Sequence, residues 1–216
     1  MIGIPRALLY YKYGTLWENF FEYLNIPFKL SPKTNKEIID KGIMASNDEA
    51  CLSFKIFMGH VSTLANECDY ILIPRVVSIK KKETLCTNFY SLYDIVENTY
   101  NVKVLLFNVD IENKFSEEEA FINMAKDLNI PKKSLIKAYL YAKEMQQNDR
   151  ESKILKQDSL LKTDKLKILI ASHPYNLYDE MIGTPIVNYL RSMDIAVLTT
   201  DVYRKNIDNT FNISKD

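Results

Sequence analysis

Short apolar segments alternate with helical patterns along this chain, and that alternation constrains its fold more than any other feature. The apolar segments, each the length of one strand, cover residues 2–4, 28–30, 70–73, 102–109, 167–171 and 195–199. Residues with helical spacing separate most of these segments, and helices are the usual crossovers between parallel strands. The sequence therefore predicts an α/β fold in which helices flank a Rossmann-like parallel sheet.

A long charged stretch divides these strands into two groups. Residues 131–161 are rich in charge and contain no glycine, which predicts one long helix. A capping-box pattern that begins at Ser116 predicts the start of the helix before it. We therefore expect a first α/β domain over residues 1–112, a helical connector over 113–165, and the start of a second Rossmann-like domain over 166–216.

Two helix starts and one loop are expected within the first domain. Thr34 is a good N-cap for a helix that closes at Gly42, and Asn47 is a good N-cap for the longer helix that follows. That longer helix carries His60 directly after a glycine, and we expect it to be a hydrogen-bonded structural histidine. Residues 79–89 are mostly polar and predict a loop before the next helix.

Prolines follow two of the predicted strands directly, and a third strand ends in a similar way. Arg6 and Arg75 each come after a strand and a proline, whereas His173 precedes a proline. Because proline cannot donate to a sheet, we expect the strands to end there. The carboxyl ends of parallel strands share one rim, where such folds bind ligands. The residues expected at this rim are Arg6, Cys51, Arg75, Cys86 and His173.

The three cysteines separate into a pair and a single residue. Along a helix, the distance from Cys51 to Cys68 is roughly 25 Å, which places Cys68 at the opposite edge as a packing residue. Cys51, in the first turns of its helix, and Cys86, in the loop, belong to the rim. Thiolates bind metals, and a helix N-terminus or a cation such as Lys55 favours them. Packing in the core is the alternative for either cysteine.

Other polar residues at the rim suit anionic ligands or hydrogen bonds. Arg6 and Arg75 fit a phosphate or carboxylate, and a salt bridge to a neighbouring carboxylate is their alternative. His173 and Tyr175, with Asp179 close in sequence, suit a cofactor-binding site at a strand end. Hydrogen bonds within a loop are the alternative for these residues.

The balance of charge and the absence of several motifs argue against some classes of function. With 28 basic and 28 acidic residues, the chain offers no electrostatic reason to bind nucleic acid or an anionic membrane. No segment reaches the roughly 20 apolar residues of a membrane helix, and the N-terminus is unlike a signal peptide, so we expect a soluble cytoplasmic protein. Walker, GxGxxG, CxxC and HExxH motifs are absent, and no catalytic residue is assigned.

Several ordered segments of the chain resemble a known family. The segments are residues 2–8, 31–41, 47–55, 59–60, 70–75, Cys86 and 172–179. With them the chain resembles uncharacterised proteins related to acyl-CoA dehydratase activases, which are similar to subunits of 2-hydroxyacyl-CoA dehydratases and benzoyl-CoA reductases. Ser53 and Thr87 stand where the family pattern has proline.

The resemblance implies an oxygen-sensitive [4Fe–4S] cluster with Cys51 and Cys86 as thiolate ligands. In the dehydratase relatives, the cluster accepts an electron from an ATP-driven activase and passes it to an acyl-CoA thioester. The implied partners are therefore an ATP-dependent activase or a dehydratase-like subunit, and acyl-CoA. Arg6, Lys55 and Arg75 would set the cluster potential or meet a CoA or partner charge. Because two thiolates hold a cluster poorly, another chain would have to supply further ligands.

Two other functions stay open at this point. The chain could be a non-catalytic α/β scaffold or binding module that kept the fold and lost the cofactor. It could also be a thiol enzyme with Cys51 as the nucleophile, although the sequence offers no evident base nearby. The iron content of protein purified without oxygen distinguishes the scaffold from the cluster-binding redox component.

Overall fold

Five strands in the first half of the chain form one sheet. The structure is a computed structural model that describes residues 1–202. The strands of this sheet are β1 (Ile2–Ile4), β2 (Phe28–Leu30), β3 (Tyr70–Lys80), β4 (Glu83–Thr84) and β5 (Lys103–Asp110). The helices between them are α1 (Tyr10–Tyr23), α2 (Lys36–Met44), α3 (Leu52–Leu64) and α4 (Thr87–Thr99).

The strand order is that of a Rossmann-like sheet. Strands β2, β1, β3 and β5 lie side by side in that order and all run parallel. The short strand β4 pairs antiparallel with the far end of β3. Because β2 and β3 flank β1 on opposite sides, the direction of winding reverses at β1, where such folds open a crevice. The predicted α/β fold with a parallel sheet flanked by helices is confirmed.

A second, smaller sheet follows after two more helices. The helices α5 (Glu117–Asp127) and α6 (Lys132–Leu161) precede β6 (Lys167–Ile170), and α7 (Pro174–Leu177) and α8 (Gly183–Ser192) precede β7 (Ala196–Thr199). Strands β6 and β7 pair in parallel. The predicted domain boundaries stay a prediction, and the last part of the predicted second domain, residues 203–216, lies outside the described residues.

The long helix α6 reaches both sheets. It is about 45 Å long at 1.5 Å per residue. Ala138 and Ala142 are buried in the core of the first sheet, whereas Gln157, near the other end, donates through Nε2 to Thr199 Oγ1 of β7 at 2.7 Å. None of the helices within residues 1–202 is both long and apolar enough to cross a membrane.

Aromatic side chains fill the core between α1 and the sheet. The ring centroid of Trp17 lies 5.3 Å from that of Phe107 in β5, and the centroids of Phe20 and Phe121 are 4.5 Å apart. The apolar centres of β3 and β5 are buried, as expected for parallel strands with both faces covered. The capping box of Ser116 is present, so α5 begins where the sequence predicts.

Strand β3 continues through Pro74 and Arg75, so the prediction that it ends at this proline is wrong. A proline fits a strand where no neighbour needs its missing N–H. Strand β1 pairs with β3 only as far as Ile71, so Pro74 lies beyond that neighbour, while β5 pairs along the other edge.

The prediction of a loop over residues 79–89 is also wrong. Strand β3 is followed by a turn and by β4, and α4 begins at Thr87.

The cap and the end predicted for α2 are wrong by one and two residues. Asn35 rather than Thr34 caps the helix, since its Oδ1 accepts a hydrogen bond from Ile38 N at 3.0 Å. The helix also continues past Gly42 to Met44. Thr34 and Asn35 both have side chains that can cap a helix, so the sequence leaves the cap ambiguous. The buried Thr34 hydroxyl forms hydrogen bonds with His60 and Asp179 instead, and Asn35 is the cap.

Glycine in α2 and in α3 allows the two helix backbones to touch. A Cβ at Gly42 would lie 1.8 Å from the carbonyl O of Lys55 in α3. A Cβ at Gly59 would lie 1.9 Å from the carbonyl O of Ile38 in α2. Side chains at these two positions would force the helices apart, so Gly42 is a packing residue rather than a helix end.

Candidate functional site

Cys51 and Cys86 occupy equivalent positions, each at the N-cap of a helix. Cys51 directly precedes α3, Cys86 directly precedes α4, and both are exposed. Neither sulfur forms a capping hydrogen bond with its own helix. The unpaired backbone N–H groups of a first helical turn favour a nearby negative charge. We call these two residues the cysteine pair.

The local structure predicted around Cys51 and Cys86 differs from the structure observed. Asn47 does not cap α3, because Ala50 N donates to the carbonyl O of Asn47 at 3.2 Å and closes a turn before the helix. The helix starts at Leu52, so Cys51 lies at its boundary rather than inside its first turns. Cys86 begins a helix instead of lying in a polar loop.

The two helix ends lie side by side. Asn88, two residues after Cys86, donates through Nδ2 to Cys51 Sγ at 3.8 Å. Burial first, and then Cys51 and Cys86, raise the pKa of Tyr175. The first turns of α3 and α4, which carry the two cysteines at their N-caps, therefore lie beside one another.

The short helix α7 faces the cysteine pair and was missed in the sequence. It begins at Pro174 with His173 as its N-cap, and a proline in the first helical turn is a signal that could have revealed it. The rings of His173 and Tyr175 stack with their centroids 5.0 Å apart and their planes at 8°. His173 is exposed, whereas Tyr175 is partly buried.

Two contacts attach this segment to the helices of the cysteine pair. The ring of Tyr175 lies edge-on to that of Phe89 in the first turn of α4, with centroids 5.9 Å apart. Asn176 Oδ1 accepts a hydrogen bond from Ser53 Oγ, in the first turn of α3, at 2.7 Å. The site therefore combines residues from the first sheet's helices with residues that follow β6.

Cys68 lies at the opposite edge of the first sheet, as the length of α3 predicts. It precedes β3 and packs beside Gly3, where an added Cβ would come within 3.1 Å of its Sγ. Burial, as the largest cause, raises the pKa of the Cys68 thiol, and Lys29 opposes this shift. Cys68 is therefore a packing residue that is separate from the cysteine pair.

The three cations expected at the rim have partners within the chain. Arg6 Nη2 lies 3.5 Å from Glu180 Oε1, and Arg75 Nη1 donates to Asn108 Oδ1 at 2.9 Å. Lys55 Nζ donates to a backbone carbonyl at 3.0 Å. Within residues 1–202, none of the three joins the cysteine pair through a hydrogen bond or an ion pair.

A buried chain of hydrogen bonds around His60 links the first sheet to the residues after α7. Asp179 Oδ2 accepts from Thr34 Oγ1 at 2.5 Å, so the Thr34 hydroxyl must accept from His60 Nε2 at 3.0 Å. His60 Nδ1 then accepts from Ser31 Oγ at 2.8 Å. Ser31 Oγ in turn accepts from the backbone N of Arg6 at 2.8 Å. This confirms that His60 is a hydrogen-bonded structural histidine.

This series of hydrogen bonds contains a serine, a histidine and an aspartate, as a catalytic triad does. Its burial, however, prevents these residues from acting on a substrate. Ser31 and Asp179 are 1% exposed and His60 is fully buried. Burial, and then the charge of Arg6, lower the pKa of His60 to about 4, so the ring is neutral at pH 7. Sequence reasoning missed Ser31 and Thr34 because their partners are distant along the chain.

The donor atoms of the cysteine pair fit iron, but the pair is only part of a ligand set. Thiolates are the usual ligands of iron–sulfur clusters, which take about four of them. Within residues 1–202, no group of three or more His, Cys, Asp or Glu side chains could hold a metal ion. The cysteine pair could therefore hold one side of a cluster, with the remaining ligands coming from elsewhere.

Comparison with known protein families identifies a match over most of the chain. The model of a family described as "CoA enzyme activase uncharacterised domain" matches residues 1–202. No curated protein and no solved structure matches the chain.

Proposed function

Because the chain belongs to the family of CoA enzyme activase uncharacterised domains, we propose that it is a cluster-binding redox component related to 2-hydroxyacyl-CoA dehydratases and their activases. Cys51 and Cys86 supply two thiolates to a [4Fe–4S] cluster, a group that carries single electrons when bound. The observation that carries this proposal is the placement of two exposed thiols at the N-caps of neighbouring helices.

The remaining ligands come from another chain. The cysteine pair is exposed, so a second protein can reach both sulfurs without opening the fold. An ATP-dependent activase or a dehydratase-like subunit is the partner that this chemistry fits, with acyl-CoA as the electron acceptor further on. Either partner would add ligands to the two thiolates of the cysteine pair, since residues 1–202 hold no group of three or more metal-binding side chains.

Cations around the rim are suited to the anionic groups of such partners. Lys55, one turn into α3, bonds a neutral carbonyl, so its charge is not cancelled by that contact. Arg6 and Lys33 lie 3.5 and 3.8 Å from the same carboxylate oxygen of Glu180. We propose Lys55, Arg6 and Arg75 as contacts for a CoA phosphate or a partner carboxylate, and His173 and Tyr175 as neighbours of the cofactor.

Anaerobic reconstitution tests the proposal. The protein is purified without oxygen, incubated with iron and sulfide, alone and with a candidate activase or dehydratase-like subunit, and its iron content and visible spectrum are measured. We expect a brown protein with several irons per chain or per complex. Cys51→Ser and Cys86→Ser should each abolish the colour, whereas Cys68→Ser, the matched control, should retain it.

The second candidate function is a binding module without a cofactor. The observation that favours it is the lack of a third metal-binding side chain beside the cysteine pair within residues 1–202. A colourless protein that takes up no iron under any of these conditions would support this function and would contradict cluster binding.

A further inference from the structure

Residues 173–176 connect the two helix ends that carry the cysteine pair. Tyr175 packs against Phe89, which lies three residues after Cys86. Asn176 accepts a hydrogen bond from Ser53, two residues after Cys51. One four-residue segment therefore touches the first turn of α3 and the first turn of α4. We call residues 173–176 the bridging segment.

We propose that Tyr175 and Asn176 are positioning residues that fix the separation of the two thiols. Among the described residues 1–202, one direct polar contact joins the two helix ends, between Asn88 Nδ2 and Cys51 Sγ at 3.8 Å, and sulfur is a weak acceptor. The bridging segment adds a hydrogen bond of 2.7 Å to one helix and an aromatic contact to the other. It therefore restrains both ends against a common element.

The bridging segment is itself held in place. Three residues after Asn176, the buried Asp179 accepts from Thr34 Oγ1 at 2.5 Å and from the backbone N of Met181 at 2.8 Å. Next to it, Glu180 Oε1 lies 3.5 Å from Arg6 Nη2. The contacts with Thr34 and Arg6 attach the chain beyond α7 to residues that follow strands of the first sheet, which restrains the bridging segment.

The hydroxyl of Ser53 is required for one half of the bridge. Ser53 occupies the second residue of α3, where its backbone N–H has no partner within the helix. Its side-chain hydroxyl donates to Asn176 Oδ1 at 2.7 Å. Alanine at this position would keep the helix and remove only the hydrogen bond.

Crosslinking of the cofactor-free protein tests the positioning role. The inference rests on the proposed function only because it takes the cysteine pair as the site. Use of cofactor-free protein separates the positioning of the thiols from the question of whether a cluster binds. A short bis-methanethiosulfonate reagent, at limiting concentration, either bridges Cys51 and Cys86 or modifies each alone, and mass spectrometry measures the ratio. We expect Ser53→Ala, Asn176→Ala and the double variant to lower this ratio equally, by about fivefold, because the effective concentration of one thiol near the other falls.

Matched variants separate positioning from a general loss of structure. Thr63→Ala, on the same helix but bonded to its own helix backbone, should leave the ratio unchanged. Tyr175→Phe keeps the ring and should also behave as wild type, whereas Tyr175→Ala should lower the ratio. Labelling of Cys68 and the melting temperature report on the fold in every variant.

Three results would overturn the proposal. The first is an unchanged crosslinking ratio in folded Ser53→Ala and Asn176→Ala. The second is an additive effect in the double variant, which would show that the two side chains do not act through one bond. The third is a fall in the ratio only in proportion to faster labelling of Cys68, which would indicate general loosening. Failure of cluster reconstitution would leave the crosslinking result intact.

Discussion

Each ring nitrogen of His60 has a hydrogen-bond partner in the core, and this fixes the tautomer of the neutral ring. Protonation would place a second donor opposite Ser31 Oγ and a positive charge in a buried site that the charge of Arg6 reaches. Histidine in the unfolded chain titrates near pH 6.5, whereas burial and Arg6 lower the pKa of folded His60 to about 4. Between these values only the unfolded chain takes up the proton.

The free energy of unfolding should therefore fall as the pH falls from about 6.5 to about 4, by about 3 kcal/mol from His60 alone. Urea denaturation at a series of pH values measures this slope. Carboxylates add their own pH dependence, so the informative quantity is the difference between wild type and His60→Gln. Equal slopes in wild type and His60→Gln would contradict the assignment.

At the level of residues, sequence reasoning worked for groups whose geometry follows from chain order. The separation of Cys68 from Cys51 needs only the length of one helix. The proximity of Cys51 and Cys86 depends on where crossovers end in a parallel sheet. Ser31 and Thr34 were not found because their partners are set by tertiary packing, which no local pattern records.

Contact between the backbones of α2 and α3 depends on two glycines. Gly59→Ala should destabilise the protein by about 2 kcal/mol, because overpacking outweighs the roughly 1 kcal/mol that alanine gains in helix propensity. A Cβ at this position meets a backbone carbonyl at 1.9 Å, which cannot move without moving α2. Chemical denaturation of the purified variant measures the loss.

Gly14→Ala provides the matched comparison. A Cβ there also comes close to another group, but that group is the ring of Tyr10, at 2.7 Å, and a side chain can shift. We expect this variant to lose clearly less stability than Gly59→Ala. If both variants lost the same stability, backbone contact between the helices would not be the reason for glycine at position 59.

At the level of elements, types were more predictable than boundaries. The apolar runs identify β3 and β5, but β3 extends to Lys80 because β1 stops pairing before Pro74 and leaves room for it. The start of α3 was misplaced because Asn47 has a capping side chain and yet belongs to the preceding turn. Strand neighbours and turn geometry decide such boundaries, and neither is visible in a local window.

The two sheets are connected by a buried carboxylate as well as by the long helix α6. Asp179→Ala would leave the Thr34 hydroxyl and the backbone N–H of Met181 without their acceptor inside the protein. We expect a loss of about 3 kcal/mol, together with faster amide hydrogen exchange in β6 and β7 than in β5. Hydrogen exchange followed by mass spectrometry locates the effect.

Asp194→Ala is the control for this change. Asp194 forms an exposed ion pair with Lys165, so its removal should change stability by less than about 1 kcal/mol and leave the exchange pattern intact. Uniformly faster exchange in Asp179→Ala, without a difference between the two sheets, would contradict a linking role.

At the level of the whole molecule, the α/β class could be predicted because alternating strands and helices leave few ways to bury apolar surface. The contact of α7 with the N-terminal turns of α3 and α4 could not be predicted. It depends on how residues between β6 and β7 pack against the helices of the first sheet. Its contacts, between Ser53 and Asn176 and between Phe89 and Tyr175, join residues far apart in sequence.

The helix-cap positions of Cys51 and Cys86 make the site easy to lose in evolution. Each sulfur is exposed and does not cap its own helix, whereas serine at an N-cap can accept a hydrogen bond from the first turn. A single base change from cysteine to serine would thus remove a proposed cluster ligand while leaving the fold intact or slightly more stable. A lineage that loses the proposed cluster could therefore keep this domain, unchanged in shape, for other purposes.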